Sequence, residues 1–194
     1  MKDIWNRIDS WLENNAPAML NDWQSGATEE EIKTAESFMG VEFPKDVREY
    51  FQIHNGQFSN KSFIAPWQFL SLDGIMMNWE VWKDLLDAGD FDDARSEPDV
   101  GIRADWWNLK WIPLTYDGSG NHHCLDLDPA PSGKVGQIIT MWHDEAEREV
   151  GANSFREWLE KLADELESGI YVFSQEQGSL IEADEDSLGS FFWF

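Results

Sequence analysis

The chain has 194 residues, 42% hydrophobic and 14% aromatic, with 38 acidic against 14 basic side chains and a net charge of −24. That apolar content excludes a wholly disordered protein, and the length suits one domain with a core of its own. The charge repels nucleic-acid backbone and anionic lipid, so no direct nucleic-acid binding and no membrane association are expected, and a cationic partner is favoured.

No run approaches the roughly 18 apolar residues of a membrane span. The start, M-K-D-I-W-N-R-I-D, lacks a secretory apolar stretch, and the single Cys124 has no internal disulfide partner. These features predict a cytoplasmic protein in which Cys124 is a small buried hydrophobe.

Ile4, Trp5, Ile8, Trp11 and Leu12 recur at helical spacing and predict an amphipathic helix that ends before Pro17. After an irregular crossing with Trp23, T-E-E-E from Thr28 to Glu31 is a capping box opening a helix that stops at Gly40. Pro44 starts the next helix. Its stripe is Val47, Tyr50, Phe51 and His54, and Asn55-Gly56 closes it, so His54 reads as a structural histidine on an apolar face. The stretch from Phe58 to Leu70 is rich in turns, and Pro66 argues against a central strand there. Asn78 is the expected cap of a helix bearing Trp79, Trp82, Leu85 and Leu86 that ends at Gly89. D-A-G-D-F-D-D-A-R-S-E-P-D then reads as an exposed acidic loop, and Trp106 and Trp107 as either the edge of the core or an exposed aromatic platform.

From Trp111 to Trp142, alternating apolar and polar residues broken at D-G-S-G-N and P-A-P-S-G predict three antiparallel strands, a central meander spanning about 111–143. Ile112, Leu114 and Tyr116 share one face of the first strand. In the second, His123, Leu125 and Leu127 are expected inside, with His122, Cys124, Asp126 and Asp128 on the opposite, polar face. The third strand reads as covered on both sides. Ser154 and Glu157 form a second capping box for a helix whose stripe of Phe155, Trp158, Leu159, Leu162, Ala163 and Leu166 is the strongest in the chain, ended by Gly169. A final hairpin is compatible with residues 170 to 182. The acidic run and F-F-W-F that follow read as a tail.

The expected fold is α+β: a single domain with an antiparallel or mixed sheet packed with several amphipathic helices. It spans 1–173, and 174–194 forms an acidic C-terminal extension holding a short strand and a tail. Enzyme readings are weak. Asp126, Asp128 and His122 on one strand face suggest an incomplete metal site or a carboxylate-dependent hydrolase, and Cys124 with His122 suggests a thiol nucleophile. There is no nucleophile elbow, H-E-x-x-H, Walker loop or dinucleotide fingerprint. The residues therefore predict no enzyme, no catalytic residue, no cofactor and no metal.

The segments G-A-T-E-E-E-I, F-P-K-D-V-R-E-Y-F-Q-I-H-N-G, W-I-P-L, D-G-S-G-N, C-L-D-L-D-P, G-Q-I-I and S-F-R-E-W-L, in this order over residues 1 to 169, resemble the SUKH superfamily. The likeness is greatest to its branch named for fungal regulators of cell-wall assembly. The resemblance implies an α+β fold. Asn55-Gly56 and Gly118 to Asn121 match the family's turns, and Trp111, Pro113 and Trp158 match its packing residues.

The resemblance further implies an immunity protein that neutralises a cognate polymorphic toxin, of nuclease or deaminase class, through an acidic and aromatic surface. A regulator of cell-wall synthesis that binds protein or carbohydrate is the alternative. On charge and predicted exposure, the partner-binding residues expected for a basic toxin domain are Asp90, Asp92, Asp93, Trp106 and Trp107.

Overall fold

The computed structural model describes residues 1–183; the predicted acidic and aromatic tail from Asp184 lies outside the described residues. Helix α1 (Lys2–Asn15) buries Ile4, Trp5, Ile8 and Leu12, and Pro17 opens the single turn of α2 (Pro17–Leu20). Strand β1 (Trp23–Ser25) leads to α3 (Glu29–Met39). The predicted box closes there. Thr28 Oγ accepts from Glu31 N at 3.2 Å, and the Glu31 carboxylate accepts from Thr28 N at 2.7 Å. Gly40, at φ 66°, ends the helix.

Helix α4 (Lys45–Phe51) is shorter than its apolar stripe suggested. Val47, Tyr50 and Phe51 are buried, but His54 begins strand β2 (His54–Gln57), which pairs antiparallel with β1. The reason lies in Asn55-Gly56. Gly56 takes φ 68°, and a Cβ on it would fall 2.4 Å from the Leu70 carbonyl carbon. Asn55 Oδ1 accepts from Leu72 N at 2.9 Å. These residues hold the start of a later helix and do not terminate this one.

Strand β3 (Gln68–Phe69) precedes α5 (Leu72–Ala88). That helix starts before the predicted cap: Ser71 Oγ accepts from Gly74 N at 3.1 Å, while Asn78 lies inside and donates to Gly74 O. Gly74 in the first turn obscured this start, because glycine is a poor helix former. After Gly89 come β4 (Glu97–Pro98), β5 (Trp111–Pro113), β6 (Thr115–Tyr116), β7 (His122–Asp126), β8 (Gln137–Met141), β9 (Glu147–Arg148) and β10 (Val150–Ala152).

The main sheet has the order β10-β8-β7-β5 and is antiparallel throughout, with Ile112 opposite Leu125 and Cys124 opposite Ile139. It is the expected meander with a fourth strand added. The predicted first strand divides after Leu114, because β6 leaves to pair with β3; β4 and β9 form a parallel pair. The fold class is therefore α+β with mixed pairing.

Helix α6 (Phe155–Ser168) buries its entire predicted stripe. Its cap departs from the expected box in one detail: Ser154 Oγ accepts from Glu157 N, but the Glu157 carboxylate accepts from Asn153 N. On one face of the sheet, Trp158 of α6 lies 5.7 Å from the ring of His123. On the other, Trp82 of α5 reaches His122. Every residue of β7 is consequently buried, including His122 and Asp126 on the face read as polar.

The chain then forms the hairpin β11 (Tyr171–Ser174) and β12 (Ser179–Glu182). Leu180 is fully buried; its N–H donates to Phe63 O and its carbonyl accepts from Ala65 N, both at 2.9 Å. The boundary expected at 173 falls inside this hairpin.

Candidate partner-binding surface

The acidic loop is exposed as predicted at Asp90, Asp92 and Asp93. It is anchored by Phe91, which stacks on Trp82 at 5.6 Å; Trp82 stacks in turn on Trp107 at 5.2 Å, and Trp107 meets Trp111 edge-on. The structure thus brings the loop and the tryptophan pair together, but through the core. Trp107 is 3% exposed and offers no platform. Trp106 is half-buried beside Arg148, whose guanidinium carbon lies 5.1 Å from its ring centroid. An indole is too large an apolar surface to leave in water when an adjacent core can take it.

A second group of acids lies on β4 and β9, whose pairing sets Glu97 directly beside Glu147. Asp99 Oδ2 accepts from Val150 N at 3.1 Å, and burial, with Asp99 and Glu147 nearby, raises the pKa of Glu149. Like charges directly opposite one another destabilise a strand pair, and a cationic partner would relieve that repulsion.

The polar groups of the meander are occupied structurally. Asp126 Oδ2 accepts from Gln137 Nε2 at 2.8 Å and Oδ1 from Asp128 N at 3.0 Å, while burial raises its pKa. Asp128 does not share a site with it. Asp128 turns to Arg103 and Asn108, and the Arg103 hydrogen bond lowers its pKa. His122 is enclosed, and desolvation brings its pKa down to about 4. Burial pushes the Cys124 thiol far from its thiolate form. His54 sits among Trp5 and Trp23 with Asp9 at 3.8 Å, and desolvation lowers its pKa. Among the described residues, no group of three or more His, Cys, Asp or Glu side chains could hold a metal ion, and no helix is long and apolar enough to cross a membrane.

A second surface feature was not predicted. A groove of about 460 Å³ runs between β1–β2, β3–β6 and the first turns of α5, within the roughly 300–1,000 Å³ of ordinary ligand clefts. Gln57, 4% exposed, is the hub beneath it: its side chain donates to Asp22 Oδ2 and Lys61 O and accepts from Phe69 N. Asp22 also accepts from Ser59 N and Ser59 Oγ, so the loop after β2 is tied down at several points. On that loop Phe58 is 82% exposed, and Met77 across the groove is 69% exposed. The one trace of this in the sequence is N-G-Q-F-S-N-K, which sets an aromatic residue inside a run of turn formers. The rest comes from distant segments.

The model of the SMI1 / KNR4 family (SUKH-1) matches residues 26–161. The chain is 28% identical to the cell wall biosynthesis/cell cycle regulator smi1 of Schizosaccharomyces pombe, over 93% of this chain and 39% of that protein. It is 27% identical to the glucan synthesis regulatory protein of Neurospora crassa, over 91% of this chain and 40% of that one. It is also 24% identical to F-box only protein 3 of Bos taurus, over 91% and 37% respectively. The chain spans about two-fifths of the length of these relatives.

Proposed function

Because the chain belongs to the SMI1 / KNR4 family (SUKH-1), we propose that it is a non-catalytic regulatory domain that acts by binding another protein, within control of cell-wall or glucan synthesis. The observation that carries this reading is the match along nine-tenths of the chain to proteins named as regulators of wall biosynthesis and glucan synthesis. Those names support the regulator reading over the toxin-immunity one. The burial of His122, Cys124 and Asp126 supports a non-catalytic role, since a reacting group must reach its substrate. A carbohydrate-binding role built on tryptophan platforms is disfavoured, because Trp107 is buried and no tryptophan among the described residues is exposed.

The partner is a protein with a basic surface. Attraction to the acidic face steers the encounter, so raising salt slows association by roughly an order of magnitude while dissociation changes less. The experiment is affinity capture by the full chain from its native cells, with the retained proteins identified and their association rates measured at low and high salt. Capture of a wall-synthesis component with a salt-sensitive on-rate supports the reading. A purified chain that turns over a substrate, or that retains nothing beyond what an unrelated acidic protein retains, overturns it.

A further inference from the structure

The groove above α5 is built to accept hydrogen bonds. The side-chain nitrogens of Gln24, Gln68 and Asn78 donate to Gln57 O, Ser59 O and Gly74 O at 2.8, 2.9 and 2.8 Å. The amide oxygens of these three groove-lining residues keep their acceptor capacity. Asp73 adds an exposed carboxylate at the groove wall, and no lysine or arginine lines the groove. Phe58 and Met77 stand on either side, one on a loop held by Asp22 and Gln57, the other on a helix. Two large exposed apolar side chains lining one groove offer a partner apolar contact beside the polar groups.

We propose that this groove is the binding site for an extended basic segment of a partner protein. An arginine or lysine of the segment meets Asp73 and the amide oxygens, and an apolar side chain lies between Phe58 and Met77. A guanidinium satisfies several acceptors at once in a planar fork, and the methionine thioether adapts to a range of apolar shapes. Acceptors without balancing cations, in a chain of net charge −24, select against acidic segments and nucleic acid. The proposal rests on the reading of the chain as a protein-interaction domain and gives that domain a specific site apart from the acidic loop.

The test is selection of a random dodecapeptide library on the full chain, with counter-selection on the Met77→Ala/Asp73→Asn double variant. Both positions are exposed, and the charge lost from the first turn of α5 costs little, so the variant stays folded with a melting temperature within a few degrees of the parent. Enriched peptides are expected to carry arginine or lysine next to a large apolar residue, to bind the double variant about tenfold more weakly or worse, and to perturb the Phe58 and Asn78 side-chain resonances. Enrichment of acidic or uncharged peptides, no enrichment, or equal binding by the variant overturns the proposal. Failure of the groove is separable from failure of the interaction reading: a native partner captured equally by parent and variant removes the groove and leaves the interaction domain standing.

Discussion

Trp82 donates its indole N–H to Nε2 of His122 at 3.0 Å inside the core. The other ring nitrogen, Nδ1, lies 2.7 Å from the Thr115 carbonyl oxygen. These partners define one neutral tautomer, in which Nδ1 carries the proton and Nε2 accepts. Protonation would cost the ring its bond from Trp82 and place a charge between α5 and the sheet with no carboxylate in contact.

Stability should therefore fall with acidity in a defined window. The His122 pKa is pulled down to about 4 by desolvation, against about 6.5 in the unfolded chain. Above the unfolded value the contribution is fully present. Below it the unfolded state binds the extra proton, and about 3 kcal/mol is lost as pH falls from about 6.5 towards 4. His54, also lowered by burial, acts in the same direction, so the comparison is with His122→Gln. Urea midpoints should drop more steeply with acid in the parent than in the variant, and the His122 ring should remain neutral by NMR at pH about 5.5. A ring that titrates near its ordinary value would show that the Trp82 bond is not maintained in solution.

Arg148 is fully buried and meets carbonyls where a carboxylate would be the usual partner. It donates to Glu145 O, Glu147 O and Trp106 O at 2.8, 2.7 and 3.1 Å. Desolvation lowers its pKa to about 10, which leaves it charged at neutral pH. Arg148→Met strands three acceptors and should cost about 3–5 kcal/mol, because the roughly 1.5–3 kcal/mol of each bond to a charged donor is partly offset by relief of the guanidinium's desolvation. Arg148→Lys should recover only part, because an ammonium cannot span the three positions. Urea unfolding at constant slope is the measurement, and a methionine variant within about 0.5 kcal/mol of the parent would refute the role.

Local chemistry was legible at several helix ends, though not at Asn78 or Asn55-Gly56. Thr28 with Glu31, and Gly40, Gly89 and Gly169, set helix ends where expected, because caps and left-handed turns depend on nearby atoms. The meander was legible through its alternation. His54 was misplaced because i+7 spacing continues a stripe on paper, while the chain leaves the helix to pair β2 with β1. The faces of β7 could not be told apart because α5 and α6 cover both, and two-sided burial erases alternation. Trp107 looked exposable only because Trp82, its stacking partner, is remote in sequence. The groove was invisible for the same reason: Gln24, Phe58, Met77 and Tyr116 meet only in the folded chain.

Trp158 joins the helical layer to the sheet. It is completely buried in the middle of the α6 stripe, 5.7 Å from His123, 5.6 Å from Phe69 and 5.9 Å from Phe155 between ring centroids. Deleting it leaves a cavity bounded by a strand of the main sheet, by β3 and by its own helix, none of which can collapse without disturbing the others. Trp158→Ala should cost about 3–5 kcal/mol, a fall in melting temperature of roughly 10 °C for a domain of this size. Trp158→Phe should recover most of that loss, since the aromatic contacts to Phe69 and Phe155 need a ring and not the full indole. Thermal melting of the three proteins decides it: an alanine variant within about 2 °C of the parent would mean that α6 is not a core element.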